Sequence, residues 1–206
     1  MALVVTGGAL ATANSLEPTR TGRVASGWQS ITSGPGQWLN LGGHDRLEVL
    51  EELTADIPVP AGYEQQGQDV FTTGSLADTT VTRSQEHVHV SESAARAAYA
   101  DFAICAWADA WVAGDAAARD KASTVLTQSL QWDAVRTLDP DPSPTGYLND
   151  QGVATATRFG WVPAIAQAAA SSQRQSLLDA VTESTRCWPE YTPAMNADAA
   201  YQGNGA

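Results

Sequence analysis

The stretch FAICAWADAW, residues 102–111, constrains the fold more than any other part of the chain. Cys105 lies there among alanines and two tryptophans. Read at helical period, Ala98, Phe102, Cys105 and Val112 share one side of a helix over about 94–113. Trp107 and Trp111 stand one turn apart on a neighbouring face. Ser91 or Ser93 supplies its N-cap, Gly114 ends it, and Asp115 caps a second helix running to about Thr127. Alanine brings little buried area per residue, so tryptophan and leucine must carry most of the core's hydrophobic free energy. Seven tryptophans in 206 residues supply the anchors.

The remaining segments extend the helical pattern. HDRLEVLEEL is a short helix with Asp45 as N-cap, Glu48 completing a capping box, and Leu47, Leu50 and Leu53 on one stripe. Pro58 and Pro60 stop it. Residues 58–80 read as turns, with a short extended piece around Val70 and Phe71. TTVTRSQEHVHV, residues 79–90, fits either a strand or the first turns of the next helix. Val125 and Leu126 anchor the helix after Asp115, and Trp132, Val135 and Leu138 mark a further short helix. FGWVPAIAQAAAS and QRQSLLDAVTESTRC follow as two more, with Pro163 in a first turn and Leu177, Leu178 and Val181 on the buried face. The fold class expected is mainly α: a compact helical bundle with an irregular amino-terminal region that leaves room for one short strand or hairpin. The chain divides into an anchor-like segment over 1–13, a Gly/Ser/Thr-rich linker over 14–44 bearing Trp28 and Trp38, a helical domain over 45–190, and a flexible tail over 191–206.

A net charge of −12 argues against nucleic acid and anionic lipid as partners, because no basic cluster exists to track phosphates. Lys121 is the single lysine among eleven basic residues. The chain lacks nucleophile-elbow, phosphate-loop, dinucleotide-binding and zinc-protease motifs, so no cofactor and no catalytic residue is expected from sequence.

The amino terminus MALVVTGGALATANS resembles the second half of a signal peptide, with Leu3–Leu10 as its apolar region and Ala11–Ala13 as an A-x-A site. It is shorter than the roughly 20 apolar residues that span a bilayer, and no Lys or Arg precedes Arg20. Export, by cleaved signal or by anchor, is the expectation, with a cytoplasmic protein as the alternative. The two cysteines form no CxxC and have no nearby histidine, which disfavours zinc. Asp101 and Asp109, one turn either side of Cys105, would raise a thiol pKa rather than activate it. A Cys105–Cys187 disulfide is preferred and agrees with export; two separate buried thiols are the alternative.

Weaker candidates remain. His87 and His89 stand at i and i+2 and could hold two corners of a metal site, or serve a hydrolase whose carboxylates converge only in three dimensions. His44, beside glycines, reads as a solvated turn residue. Trp107, Asp109 and Trp111 could bind a small cation by cation–π contact and charge, although core tryptophans around a solvated Asp109 are the plainer expectation. Asp139, Asp141, Ser143 and Asp150 fall on a calcium-loop spacing, but Pro144 replaces the required glycine and Pro140 and Pro142 stiffen the loop, so a rigid turn is preferred.

The apolar start, CAWADAW, the arginine-over-lysine bias, WDAVRTLDPD and the late Cys187 together resemble uncharacterised signal-anchored proteins of actinobacteria, over residues 55–190. The resemblance implies one amino-terminal membrane segment, an Ala-rich extracytoplasmic domain and the cysteine pairing, and no activity. The function expected is therefore a non-enzymatic extracytoplasmic domain that meets an envelope protein, touching membrane only through an amino-terminal anchor.

Overall fold

A computed structural model describes residues 23–24, 38–40, 46–72, 89–136, 147–148, 154–155, 158–184 and 186–198. The fold is mainly α. Helices α1 (Arg46–Thr54), α2 (Glu64–Thr72), α3 (Glu92–Ala113), α4 (Ala116–Ser129), α5 (Asp133–Arg136), α6 (Val162–Ala170) and α7 (Arg174–Ser184) are followed by a 3₁₀ turn, Pro189–Tyr191, and the short α8 (Pro193–Asn196). Short antiparallel strands β1 (Arg23–Val24), β2 (Trp38–Asn40) and β3 (His89–Ser91) pair in that order, Asn40 opposite His89, and β3 runs straight into α3. Tyr147–Leu148 pairs with Ala154–Thr155.

Helix α3 is the axis of the domain, and α1, α2, α4, α5, α6, α7 and α8 all pack on it. An amphipathic helix buries one stripe; α3 is buried on every side from Ala100 through Asp109. Its alanines make this possible, since Ala97, Ala100, Ala103, Ala106 and Ala108 let neighbours approach its backbone. Phe102, Trp107 and Trp111 fill the wider spaces between those neighbours. Asp115 caps α4 as its position predicts, accepting the Ala118 N–H at 2.9 Å. Pro163 lies in the first turn of α6. The α6–α7 turn closes with Ser172 in the left-handed region at φ 54°, its N–H and that of Gln173 donating back to Ala169 and Ala168.

Two expectations are corrected. The segment read as turns with an extended piece near Val70 is the helix α2. Half-buried Tyr63, just before the helix, and buried Gly67 and Val70 make an i, i+4, i+7 stripe in which a glycine stands where a pattern search wants a large apolar residue. A Cβ on Gly67 would lie 3.0 Å from the Phe102 ring and 3.1 Å from the Tyr99 hydroxyl, so the glycine sets how closely α2 meets α3. The tail expected from residue 191 onward is instead packed on the core through Asp198: Tyr191, Thr192 and Met195 are buried. Pro189, just before it, starts the 3₁₀ turn, and its own Pro193 starts α8 rather than marking disorder. The signal-like segment, Trp28, His44, His87, Leu138 and the calcium-loop candidates Asp139, Asp141, Ser143 and Asp150 lie outside the described residues. Among the described residues, no helix is long and apolar enough to cross a membrane.

Substituting Gly67 by valine forces a branched side chain against Phe102 and Tyr99. It is expected to lower the unfolding free energy by about 1 to 3 kcal/mol, as overpacking typically does, measured by urea denaturation.

Candidate functional site

One face of α3 carries the polar and covalent chemistry of the domain. Asp101, Cys105 and Asp109 are four residues apart and share that face, and the carbonyl of Val112 continues it. Each is tied to a different part of the chain. Cys105 is bonded to Cys187 with a Cα–Cα distance of 5.3 Å, so the preferred pairing is present and the described chain holds no free cysteine. Asp109 accepts hydrogen bonds from the Tyr63 hydroxyl at 2.5 Å, the Met195 N–H at 2.7 Å and the Ala194 N–H at 3.0 Å. The Val112 carbonyl accepts from Arg174 Nη1 at 3.1 Å, and the other end of that guanidinium meets Asp198. Residues 186–198 thus run along α3 in the same direction as the helix, fastened at Cys105, at Asp109 and, through Arg174, at Val112.

The solvated Asp109 expected from sequence is corrected here: its exposure is 0%. A carboxylate can be held in such a place only when its lone pairs are met, and three donors meet them. Two are backbone amides at the start of α8, orphan donors that the helix cannot satisfy itself. Tyr63 closes the set from the α1–α2 connection, and burial together with the Asp109 carboxylate pushes its phenol far above the ordinary range.

The cation-binding face proposed for Trp107 and Trp111 is likewise closed. Both indoles are buried, at 4% and 2% exposure. Their N–H groups are satisfied inside: Trp107 donates to the Pro58 carbonyl at 2.8 Å, and Trp111 to Ser123 Oγ at 3.0 Å, which itself donates to the Ala169 carbonyl. The cations over their rings are the chain's own: Lys121 Nζ lies 5.5 Å from the Trp107 centroid and the Arg119 guanidinium carbon 5.2 Å from that of Trp111. The sequence pattern therefore pointed to the right interaction and the wrong partner.

The remaining arginines follow the same logic. Arg96 donates to the Leu53 carbonyl at the end of α1, which has no basic residue in its last turn, and clasps Asp56 with both guanidinium arms at 2.9 and 2.7 Å. That fork holds the Asp56 carboxyl below its usual value, outweighing the opposite effect of burial. Arg119 Nε donates to the Trp111 carbonyl at 3.3 Å. Planar five-donor heads thus complete helix ends supplied by other segments, a task the compact lysine ammonium performs less well.

An aromatic cluster covers the amino-terminal half of this face. Phe102 meets Tyr99 at 5.6 Å and Tyr191 edge-on at 5.1 Å, and Trp188 stacks on Tyr191 at 5.8 Å. Burial, with Glu190 and Asp69 nearby, raises the Tyr191 phenol. Of the two candidate metal histidines, His89 contributes backbone to β3 and His87 lies outside the described residues. Among the described residues no group of three or more metal-ligating side chains converges. The chain matches no protein-family model, no curated protein and no solved structure.

Sequence reasoning missed the roles of Asp101 and Asp109, although the signal was present. Two acids at i−4 and i+4 of a buried cysteine, in an otherwise apolar stretch, must either face solvent or own dedicated partners, and the partners come from segments far away in sequence. Replacing Asp109 by alanine strands the Ala194 and Met195 amides and is expected to destabilise the fold by about 2 to 5 kcal/mol. Tyr63→Phe removes one donor and costs about 1 to 2 kcal/mol. Hydrogen exchange checks the assignment: in the alanine variant, protection is lost first at residues 194 and 195.

Proposed function

We propose that this chain is a non-enzymatic extracytoplasmic helical domain that acts through contacts with another protein at the cell envelope. The observation that carries the location is the Cys105–Cys187 pairing, since disulfides form and persist in oxidising compartments. In the chain-entropy model a bond closing 82 residues stabilises by about 4 to 5 kcal/mol at most. The use made of Trp107, Asp109 and Trp111 inside the core speaks against the small-cation-binding alternative. The acidic exterior, with Glu48, Glu51, Glu52 and Glu64 exposed on α1 and α2, favours solubility and a protein partner over nucleic acid. Membrane contact is confined in this reading to an amino-terminal anchor.

Location and chemistry can be tested together on the full chain expressed in its own host, with a photo-crosslinking residue at Glu52. Recovery in the envelope fraction is expected, with both cysteines refractory to alkylation under denaturing conditions until reduced, and with a discrete cross-linked protein. Cytosolic recovery with two alkylatable thiols, or turnover of any substrate, overturns the proposal. Reduction is expected to lower the denaturation midpoint markedly, and the Cys105→Ala/Cys187→Ala double variant to reproduce that loss without reductant.

A further inference from the structure

The acid at the other end of the α3 stripe is held differently from Asp109. Asp101 is buried, and one of its oxygens, Oδ2, accepts from Arg158 Nη2 at 2.5 Å. Among the described residues its second oxygen, Oδ1, has no partner, and neither has Arg158 Nε. The contact is therefore one-armed, whereas Arg96 grips Asp56 with two. A buried carboxylate needs both oxygens met to offset its lost hydration, and a single arm does so incompletely. The partners are also unequal in their access to water: the Arg158 side chain is 32% exposed and that of Asp101 11%. The guanidinium can return to solvent and the carboxyl cannot.

We propose that Asp101 and Arg158 form a proton-operated latch between α3 and the turn that leads into α6. A proton from solvent adds to the Asp101 carboxylate, the neutral acid stays buried, and Arg158 swings out to water. Loss of that proton draws the guanidinium back onto the helix. The charged groups facing Asp101 are Arg158, from the turn, and Arg186, from the segment that the disulfide brings alongside α3. Burial raises the Asp101 carboxyl above its ordinary value against the pull of both arginines. The sign follows from linkage. The folded chain holds this proton more tightly than the unfolded chain does. The stabilisation from the neutral acid is therefore complete below the unfolded value and is lost as pH rises through the folded one. Asp56 works in the opposite sense: its contribution is present above the ordinary carboxylate value and is lost as pH falls through its lowered one. The latch thus makes the domain firmer under mild acid at the position where most paired acids make a protein weaker.

Carbon-13 NMR of the side-chain carboxyls in the full disulfide-bonded chain reads the latch directly. Asp101 is expected to titrate above the ordinary aspartate value of about 3.9, with Asp56 below it. Arg158→Gln removes one attraction and is expected to move the Asp101 midpoint further up. Asn mimics the neutral acid at every pH, so the denaturation midpoint of Asp101→Asn relative to the unmodified chain is expected to rise as pH increases above the ordinary aspartate value. Titration of Asp101 at or below the ordinary value, or a midpoint unmoved by Arg158→Gln, overturns the latch. The unmodified chain decides the first point even where a variant does not fold.

Discussion

The structure depends on the burial of α3 on all sides. A helix so enclosed has no solvent face on which to place a polar residue cheaply, so each polar group on it demands a partner from elsewhere. Asp109 illustrates the rule most fully. Its carboxylate gathers the hydroxyl of Tyr63 and the first amides of α8, two segments that lie on opposite sides of the helix in sequence. The requirement to satisfy one buried charge thereby fixes where the carboxyl-terminal segment goes.

The disulfide and the aromatic cluster act on the same segment. Cys187 is held at Cys105, Tyr191 meets Phe102 edge-on with Trp188 stacked on it, and Asp198 is reached through Arg174. These ties differ in kind, and their effects are cooperative rather than additive, because each orders the chain for the next. The disulfide chiefly restricts the unfolded chain, while Asp109 and the aromatic rings act on the folded one. Arginine serves the opposite ends of the helices: Arg96 at α1, and Arg119 and Arg174 at α3, meet carbonyls that have no partner within their own helix. The bias toward arginine visible in the composition is therefore explained in part by architecture.

Much of this was legible in the sequence, and the failures have physical causes. The helix over 94–113, the Asp115 cap, the Pro163 first turn and the leucine faces follow from periodicity and capping chemistry, which act over a few residues. Helix α2 was missed because its central packing residue is Gly67, whose value lies in what it lacks. The packed segment after residue 190 was missed because proline, alanine and asparagine carry no apolar pattern, and their order comes from Asp109 rather than from themselves. The tryptophan pair was rightly preferred as core packing, while Asp109 between them is buried rather than solvated, and only the approach of α4 shows that Lys121 and Arg119 lie over the rings.

By itself the sequence determined that the chain is mainly helical and that its alanine-rich centre is a helix, and its net charge of −12 set the expectation against phosphate-tracking partners. These follow from short-range periodicity and net charge, which need no third dimension. Only the tertiary structure decided that the two central acids and the thiol of α3 have separate fates. Asp109 is saturated by three donors, Cys105 is covalently paired, and, among the described residues, Asp101 is left with one oxygen unmet. The reason is that an acid's behaviour depends on how many donors reach it and how much water remains, and both are set by segments tens of residues away.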